Sequence, residues 1–542
     1  MQAVLVPFIA FWLYDLQVRN VGRRPKGLPP GPPTLPLIGN LHQIPPKNAY
    51  VQFKKWAEEY GPVYSLITGT KVMIVLNTDV AIKDLLDKRS NIYSSRPEMY
   101  ISSLASGGLR MLLMPYGDTW RRVRKLFHGL LHLKASNSYV PYQDLESTSM
   151  MIALLDEPDK VLHHIRRYTN SLTTQIVYGF RTPKIDDPKL LRLYHVIEEW
   201  SSITGAGAAA VLDVFPIFRS LPPFIRPLYR HALDLQERTF DLYKGHWLEA
   251  KKKVQNGTAK PCFCVGIANA QESQKFDDDF ATMVAGTALE ASSDTTASTL
   301  AGFVLAMILY PEAQNKAQRV VDEVCGDRFP SIEDMENPKA QYIRACVKEN
   351  LRWMPTAILG APHAVIRDDE YMGYRIPKGA GVVYNAWAVH MDAERHPNPR
   401  VFDPDRYIHD FASSTESAQQ ADATKRDHFS FGAGRRICEG MHVVDRSMFL
   451  VIARLMWAFK FEKAIDEVTG QEITPDQDDL VGGFLMQPRP FRLKITPRSE
   501  KKAETVREKW GECLGLLDEG GQWRSVPEGM PFTVSEGDGK GE

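Results

Sequence analysis

No sign of charge predominates in this chain: 66 Lys and Arg balance 66 Asp and Glu over 542 residues. It therefore lacks an overall field that would draw in nucleic acid or an acidic substrate, and any basic docking surface has to be local. Cysteine is scarce. The residues at 262, 264, 325, 346, 438 and 513 have neither the density nor the regular spacing of a disulfide scaffold, which points to a reducing compartment. Cys262-Phe263-Cys264 has no second cysteine pair or neighbouring histidine to complete a zinc site. With no Ser/Gly linker, internal repeat or low-complexity tract to divide the chain, one large domain is expected, although the length exceeds the usual ~100–200 residues. No glycine-rich flavin or nicotinamide fingerprint occurs either.

Long apolar runs are also few. The first, Met1 to Tyr14, is interrupted by Asp15 and Arg19. As helix it reaches about 21 Å at ~1.5 Å per residue, short of a bilayer core of about 30 Å. Continuing through Leu16 and Val18 to Arg23 and Arg24, with the charges snorkelling, closes the gap. There is no basic segment before the run and no small-residue cleavage site, which argues against a signal peptide. Residues 1–22 are thus expected to be an N-terminal membrane anchor. A basic, proline-rich hinge follows over residues 23–36, and its charges favour a cytosolic side for what comes after. Beyond Pro497 the chain turns polar and glycine-rich. Such a composition buries no core, so residues 498–542 are expected to be a disordered tail.

What the chain does have is one cysteine in an unusual setting, Phe431-Gly432-Ala433-Gly434-Arg435-Arg436-Ile437-Cys438-Glu439-Gly440. A thiolate is a strongly donating ligand. As the single axial ligand of haem iron it pushes electron density toward dioxygen and favours O–O cleavage. Gly434 and Gly440 are read as permitting tight turns on either side of the sulfur and close approach of a porphyrin. Arg436 supplies a cation two residues before it, to offset the thiolate's charge or to grip a propionate.

The pattern Phe-x-x-Gly-x-Arg-x-Cys-x-Gly resembles the cysteine-ligand loop of the cytochrome P-450 family, and Phe431, Gly434, Arg436, Cys438 and Gly440 meet every fixed position. The resemblance extends over roughly residues 28 to 497. It implies a mainly α fold with a minor β portion near residues 60–85 and 365–385, where Val72 to Leu76 reads as a strand. The haem-thiolate domain would occupy residues 37–497, with haem bound through Cys438.

Five further stretches carry the resemblance. Apolar spacing, an acidic start and Pro311 predict a helix from Asp277 to Tyr310. Within it, Ala291-Ser292-Ser293-Asp294-Thr295-Thr296 places small polar residues that cost a buried helix stability. Asp294 and Thr295 match the family's acid–threonine pair, which delivers protons to the oxygen being activated; Ser292 stands where glycine is usual. Glu349 and Arg352, three apart on one helix face, together with Arg406 in Phe402-Asp403-Pro404-Asp405-Arg406-Tyr407, are similar to a buried structural triad behind the haem. Trp120 and Arg124 have the spacing of a propionate-binding pair, and His363 lies where relatives place a second propionate ligand.

The resemblance implies monooxygenation, with one atom of dioxygen inserted into a bulky hydrophobic small molecule. With no flavin or nicotinamide site in the chain, electrons come from a separate partner, which for microsomal members is an NADPH-dependent diflavin reductase. Location at the endoplasmic reticulum membrane with the domain facing the cytosol follows, as does a likeness to fungal members that tailor polyketides and terpenoids. Segments expected to line the pocket are Tyr100 to Tyr116, Ser201 to Leu212, Ala285 to Leu289, Ala357-Ile358 and Phe484-Leu485. Two rival readings are a haem-thiolate isomerase or dehydratase that needs no external electrons and a haem sensor. Asp294-Thr295 argues against both.

Overall fold

The computed structural model describes residues 20–530, apart from 206 and 484. Of the expected anchor, residues 1–19 lie outside the described residues, as do residues 531–542 of the tail. The proline-rich hinge does not span a gap. Arg24 donates to Gly31 O, Pro32 O and Ser65 O at 2.9–3.0 Å, so residues 23–36 lie against the domain.

Helix α1 (Ala49–Tyr60) leads into the hairpin β1 (Val63–Thr68) and β2 (Lys71–Leu76), paired from Val63↔Leu76 to Thr68↔Lys71. A helical body follows: α2 (Asp118–Leu131), α3 (Val140–Asp156), α4 (Val161–Tyr178), α5 (Pro188–Gly205), α6 (Pro227–Gln255), α7 (Asp278–Leu309) and α8 (Gln341–Trp353). The chain then returns to the hairpin through β3 (His363–Ala364) and β4 (Gly381–Tyr384); β4 pairs in parallel with β2, and β3 antiparallel with β4. Helix α9 (Met441–Ala458) starts two residues after Glu439, and α10 (Glu500–Leu514) comes last. The fold is mainly α with a small sheet where the sequence placed it.

Helix α7 organises the interior. Its start is fixed by Asp277, whose side chain accepts from Phe280 N at 2.8 Å, and by two further acids in the first turn that complement the helix dipole. Among the described residues it alone is long and apolar enough to cross a membrane, yet 72% of its apolar window is buried, as in a core helix. Its two halves serve different cores. Ala281 to Leu289 pack with Trp247 and Tyr243 of α6 and Phe127 of α2, whereas Leu300 to Ile308 pack with Met150, Tyr168 and Met456 from α3, α4 and α9. Glu290 to Thr296 fall between the two clusters, and this polar junction borders a cavity.

Beyond Pro497 the structure differs from the expected disorder. Ala503, Val506, Trp510, Cys513 and Leu517 recur at helical spacing, forming an apolar stripe that the overall polarity conceals. Val506 is fully buried, and α10 packs on α3. Past the helix, Trp523 Nε1 donates to Gln175 Oε1 at 2.6 Å and Arg181 Nη1 to Gly521 O at 2.6 Å. This cover closes over buried Glu146, which pairs with Arg167 and Arg181 at 2.5 Å each.

Candidate active site

The cysteine loop is folded back on itself: Cys438 N donates to Phe431 O at 2.9 Å. Two left-handed residues make the turn, Gly432 at φ 77° and Gly434 at φ 66°, and a Cβ on Gly434 would sit 1.9 Å from Leu86 O. Gly434 N donates to Asp87 Oδ1 at 2.5 Å. The reading of Gly440 is corrected. At φ −82° it needs no such freedom, and a Cβ there would meet Cys438 Sγ at an ordinary 3.7 Å. Gly440 instead caps α9 and turns its N–H to the sulfur.

A buried polar chain holds this loop from behind. Arg352 forks onto Glu349 through two bonds of 2.7 Å and donates to His390 O at 2.8 Å; His390 Nε2 accepts from Phe429 N at 2.8 Å. Asp403 N donates to Glu349 Oε1 at 2.8 Å, and Arg406 Nε lies 3.5 Å from the same oxygen. Thus the three expected members of the triad do meet. Ser430 Oγ donates to Leu351 O at 2.6 Å, a second tie between α8 and the loop.

Across the cavity from Cys438 stands α7. Ala291 and Ser292 are exposed, although their helix runs through the core, because they face the cavity. The helix stays unbroken: Thr295 Oγ1 donates to Ala291 O at 2.7 Å and Ser298 Oγ to Asp294 O at 2.9 Å, the back-bonding that lets hydroxyls sit inside a helix. Burial raises the Asp294 carboxyl above the ordinary range, with Arg166 pulling the other way.

Along one edge of the cavity the chain gathers cations. Arg436 donates to Ser94 O and Met114 O at 2.8 and 2.6 Å and lies 4.3 Å over the Trp120 ring; Arg96 donates to Leu112 O and Ala361 O at 2.8 and 2.6 Å. Among the described residues neither has a carboxylate partner. Burial, with Arg96 and Arg124 adding to it, pushes Arg436 down to about 8, and burial pushes Arg96 to about 10. One buried and one half-buried guanidinium left without counter-charge are costly unless a bound anion offsets them. Haem would supply such an anion through its propionates, held by Arg96 and Arg436, and would take the Cys438 thiolate as its ligand, so the residues present fit haem.

The profile of the cytochrome P-450 family matches residues 29–495. The chain is 62% identical over 535 residues to the cytochrome P-450 monooxygenase fsoB of Humicola fuscoatra, covering 99% of this chain and 98% of that protein. It is 52% identical to virE of Hypocrea virens, covering 98% and 97%, and 49% identical to fogE of Aspergillus ruber, covering 97% of each; both carry the same description. The chain belongs to the cytochrome P-450 family. It is a haem-thiolate monooxygenase with Cys438 in the family's ligand loop.

Within this cytochrome P-450 the remaining predicted site residues are placed as follows. Trp120 is buried on α2 beside Arg436. Arg124 lies one turn on and is ion-paired with Glu439, the residue after the ligand cysteine. His363 is buried with Nδ1 2.7 Å from Tyr93 O, so that nitrogen carries the proton. Its Nε2 can then donate to a carboxylate only as imidazolium, a form that burial and Arg96 disfavour.

Of the expected pocket segments, Arg110 to Leu112, Thr287, Ala288, Ala357 and Leu485 do line the cavity, and Phe484 lies outside the described residues. Ser201 to Leu212 do not; Ile197 and Trp200, a turn earlier on α5, take that wall with Leu172 and Ile176 of α4. Sequence reasoning missed Arg96 and Glu290, and it named Arg110 only as part of a lining segment. For Glu290 a signal existed, an acid directly after the apolar run Ala281 to Leu289.

Proposed function

We propose that this monooxygenase oxidises a bulky, mainly apolar intermediate of fungal secondary metabolism, of the polyketide or terpenoid kind. The observation that carries the reading is the cavity itself. Phe127, Leu172, Ile176 and Ile197 wall it with hydrocarbon, while Ala288, Ala291 and Ala357 leave room above Cys438. When bound, haem supplies the activation of dioxygen, one atom going to the substrate and the other to water. The chain's own contribution is to move protons. Asp294 has a raised carboxyl and faces the field of Arg166 and Glu198, which are themselves paired at 3.2 Å near the surface. That leaves a carboxyl able to take up and release a proton between solvent and cavity. Thr295, its hydrogen committed to Ala291 O, offers its lone pairs to orient a water in the cavity.

Replacing Thr295 by Ala should leave haem loading and substrate binding intact. Product per NADPH is expected to fall by about tenfold or more, the scale of a lost proton-transfer group, with hydrogen peroxide rising in step. Unchanged coupling would sink the relay.

Electrons, in this reading, arrive from an NADPH-dependent diflavin reductase docked on the cysteine side. There a surface concavity lined by Arg121, Lys125, His128, Arg435 and His442 reaches Cys438, and Arg122 is exposed beside it. The acid in its wall, Glu439, is already paired. An acidic partner would be steered to such a face. Converting Arg122 and Lys125 to Glu should slow NADPH-driven turnover about tenfold at low salt while peroxide-driven turnover persists; equal loss in both assays rules the docking out.

For location, we propose attachment to the endoplasmic reticulum membrane, with the domain on the cytosolic side. Exposed apolar residues support it. Ile217 and Phe224 are 75% and 73% exposed, with Phe218, Leu221 and Ile225 around them and Leu35 and Leu37 close by. The two groups adjoin at the β1–β2 turn, where Thr70 Oγ1 donates to Val214 O and Gly69 N to Ile38 O. Gly22 N donates to Gly69 O, so the first described residues, from Asn20 on, lie at this same patch. Because Arg24 pins the hinge, the clean truncation removes residues 1–19 and spares 20–26. It should shift part of the protein to the soluble fraction with haem retained, and adding Ile217→Ser and Phe224→Ser should shift the rest. A full-length protein already soluble would overturn the attachment.

A further inference from the structure

The roof of the cavity holds a polar group of residues that proton delivery does not use. Glu290, one helical turn before Asp294 on α7, accepts at Oε1 from Arg110 Nη2 and from the Tyr243 hydroxyl. The Arg110 guanidinium also lies 4.0 Å over the Trp200 ring. The two charged side chains are only 8% and 13% exposed, and both line the cavity. A desolvated ion pair is an expensive way to wall a pocket meant for hydrocarbon, since well-packed apolar residues of the same size do as well or better.

The pair has spare hydrogen-bonding capacity. Among the described residues, Glu290 Oε2 and Arg110 Nε and Nη1 have no hydrogen-bond partner, and none of the three is shut away in the interior. One free acceptor and free donors therefore stand side by side. The pair is neutral overall, so a substrate carboxylate would meet Glu290 and an amine would meet Arg110. A hydroxyl satisfies both, donating to Oε2 and accepting from the guanidinium.

We propose that Arg110 and Glu290 select a substrate carrying a hydroxyl group, phenolic or alcoholic, on its otherwise apolar skeleton. The inference rests on the monooxygenase reading of the cavity and names its substrate class. Glu290 precedes Thr295 by five positions, about 7.5 Å along a helix at ~1.5 Å per residue, so the hydroxyl is held away from the carbon that is oxidised. It fixes which end of the molecule enters first. A site built to bond a hydroxyl also rejects the analogue without one, because its own groups are then left unpaired.

The test uses the ferric holoenzyme and three probes of one shape: 4-pentylphenol, pentylbenzene and 4-pentylbenzoate. Binding is followed by the shift of the Soret band, which needs neither reductase nor turnover. The phenol should bind at least about tenfold tighter than pentylbenzene, the scale of a hydrogen bond to a charged group. In the double variant Arg110→Met, Glu290→Leu the difference should shrink to within about twofold, with pentylbenzene bound no worse. Glu290→Gln keeps the shape and leaves Arg110 uncompensated, so 4-pentylbenzoate should gain about tenfold over the wild type. This variant carries the test if the double variant does not load haem. Equal binding of phenol and pentylbenzene by the wild type, a phenol preference that survives the double variant, or no gain for the benzoate would each overturn the proposal. Failure of the monooxygenase reading shows elsewhere, as a holoenzyme that forms no NADPH-dependent product whichever probe it binds.

Discussion

Cys438→Ala is expected to abolish the red-shifted Soret band of the reduced, carbon-monoxide-bound protein and to reduce oxygenation to background. No other described cysteine can substitute. Cys262, Cys264, Cys325, Cys346 and Cys513 are all buried elsewhere and line neither cavity to which Cys438 contributes. The loop geometry also leaves no slack: Gly432 and Gly434 fix the turn, and the Phe431–Cys438 bond closes it. A thiolate's donation is what separates this chemistry from reversible oxygen binding, so the loss is one of kind. Cys438→His would test this further, since haem can be retained through imidazole while the thiolate band disappears. Persistence of that band in Cys438→Ala would mean that another sulfur reaches the iron.

Arg352→Ala should cost the protein most of its haem although it touches none of the cavity. Glu349 and Arg352 are fully buried, and removing one partner strands the other's charge, typically at about 3–5 kcal/mol. The loss is also directional. Arg352 holds His390 O, and His390 holds Phe429 N at the entrance to the cysteine loop, so the strain falls on the ligand. Haem per protein, measured after denaturing extraction, should fall by more than half, and the carbon-monoxide spectrum should shift toward the form without thiolate. Arg352→Lys keeps a charge but loses the fork, and an intermediate result is expected. Full haem loading in Arg352→Ala would show that the triad does not support the loop.

What was legible in the sequence were features encoded by short spacing. The ligand loop, the bounds of α7 and the strand at Val72 to Leu76 depend on neighbours within a few residues, and each was found within a residue or two of its place. The Glu349–Arg352–Arg406 cluster was also accessible, because two of its three members lie within one helical turn. The cation edge was not. Arg96 matters only because Ala361, Pro362 and Arg436 come to it from more than 260 positions away, and no local pattern records that. Gly440 was overread for the opposite reason: the spacing marked it, but its backbone is ordinary and its service is to cap a helix. The order of the tail is hidden in its mean polarity and is carried by its periodicity. Five apolar residues at helical spacing suffice to dock an otherwise charged segment.

That docking has a consequence for how the protein is made. Trp523 and Gln175 lie 348 positions apart, and they meet over Glu146, Arg167 and Arg181. At about 5–20 residues per second on the ribosome, the helices α3 and α4 wait roughly 20–70 s after their own synthesis before their cover exists. During that interval three charges and an apolar groove stand open to water and to other chains. Completion of the interior is therefore tied to the last few dozen residues leaving the ribosome. A chain interrupted near Pro497 ends with every haem-binding residue already synthesised and α3 and α4 still uncovered.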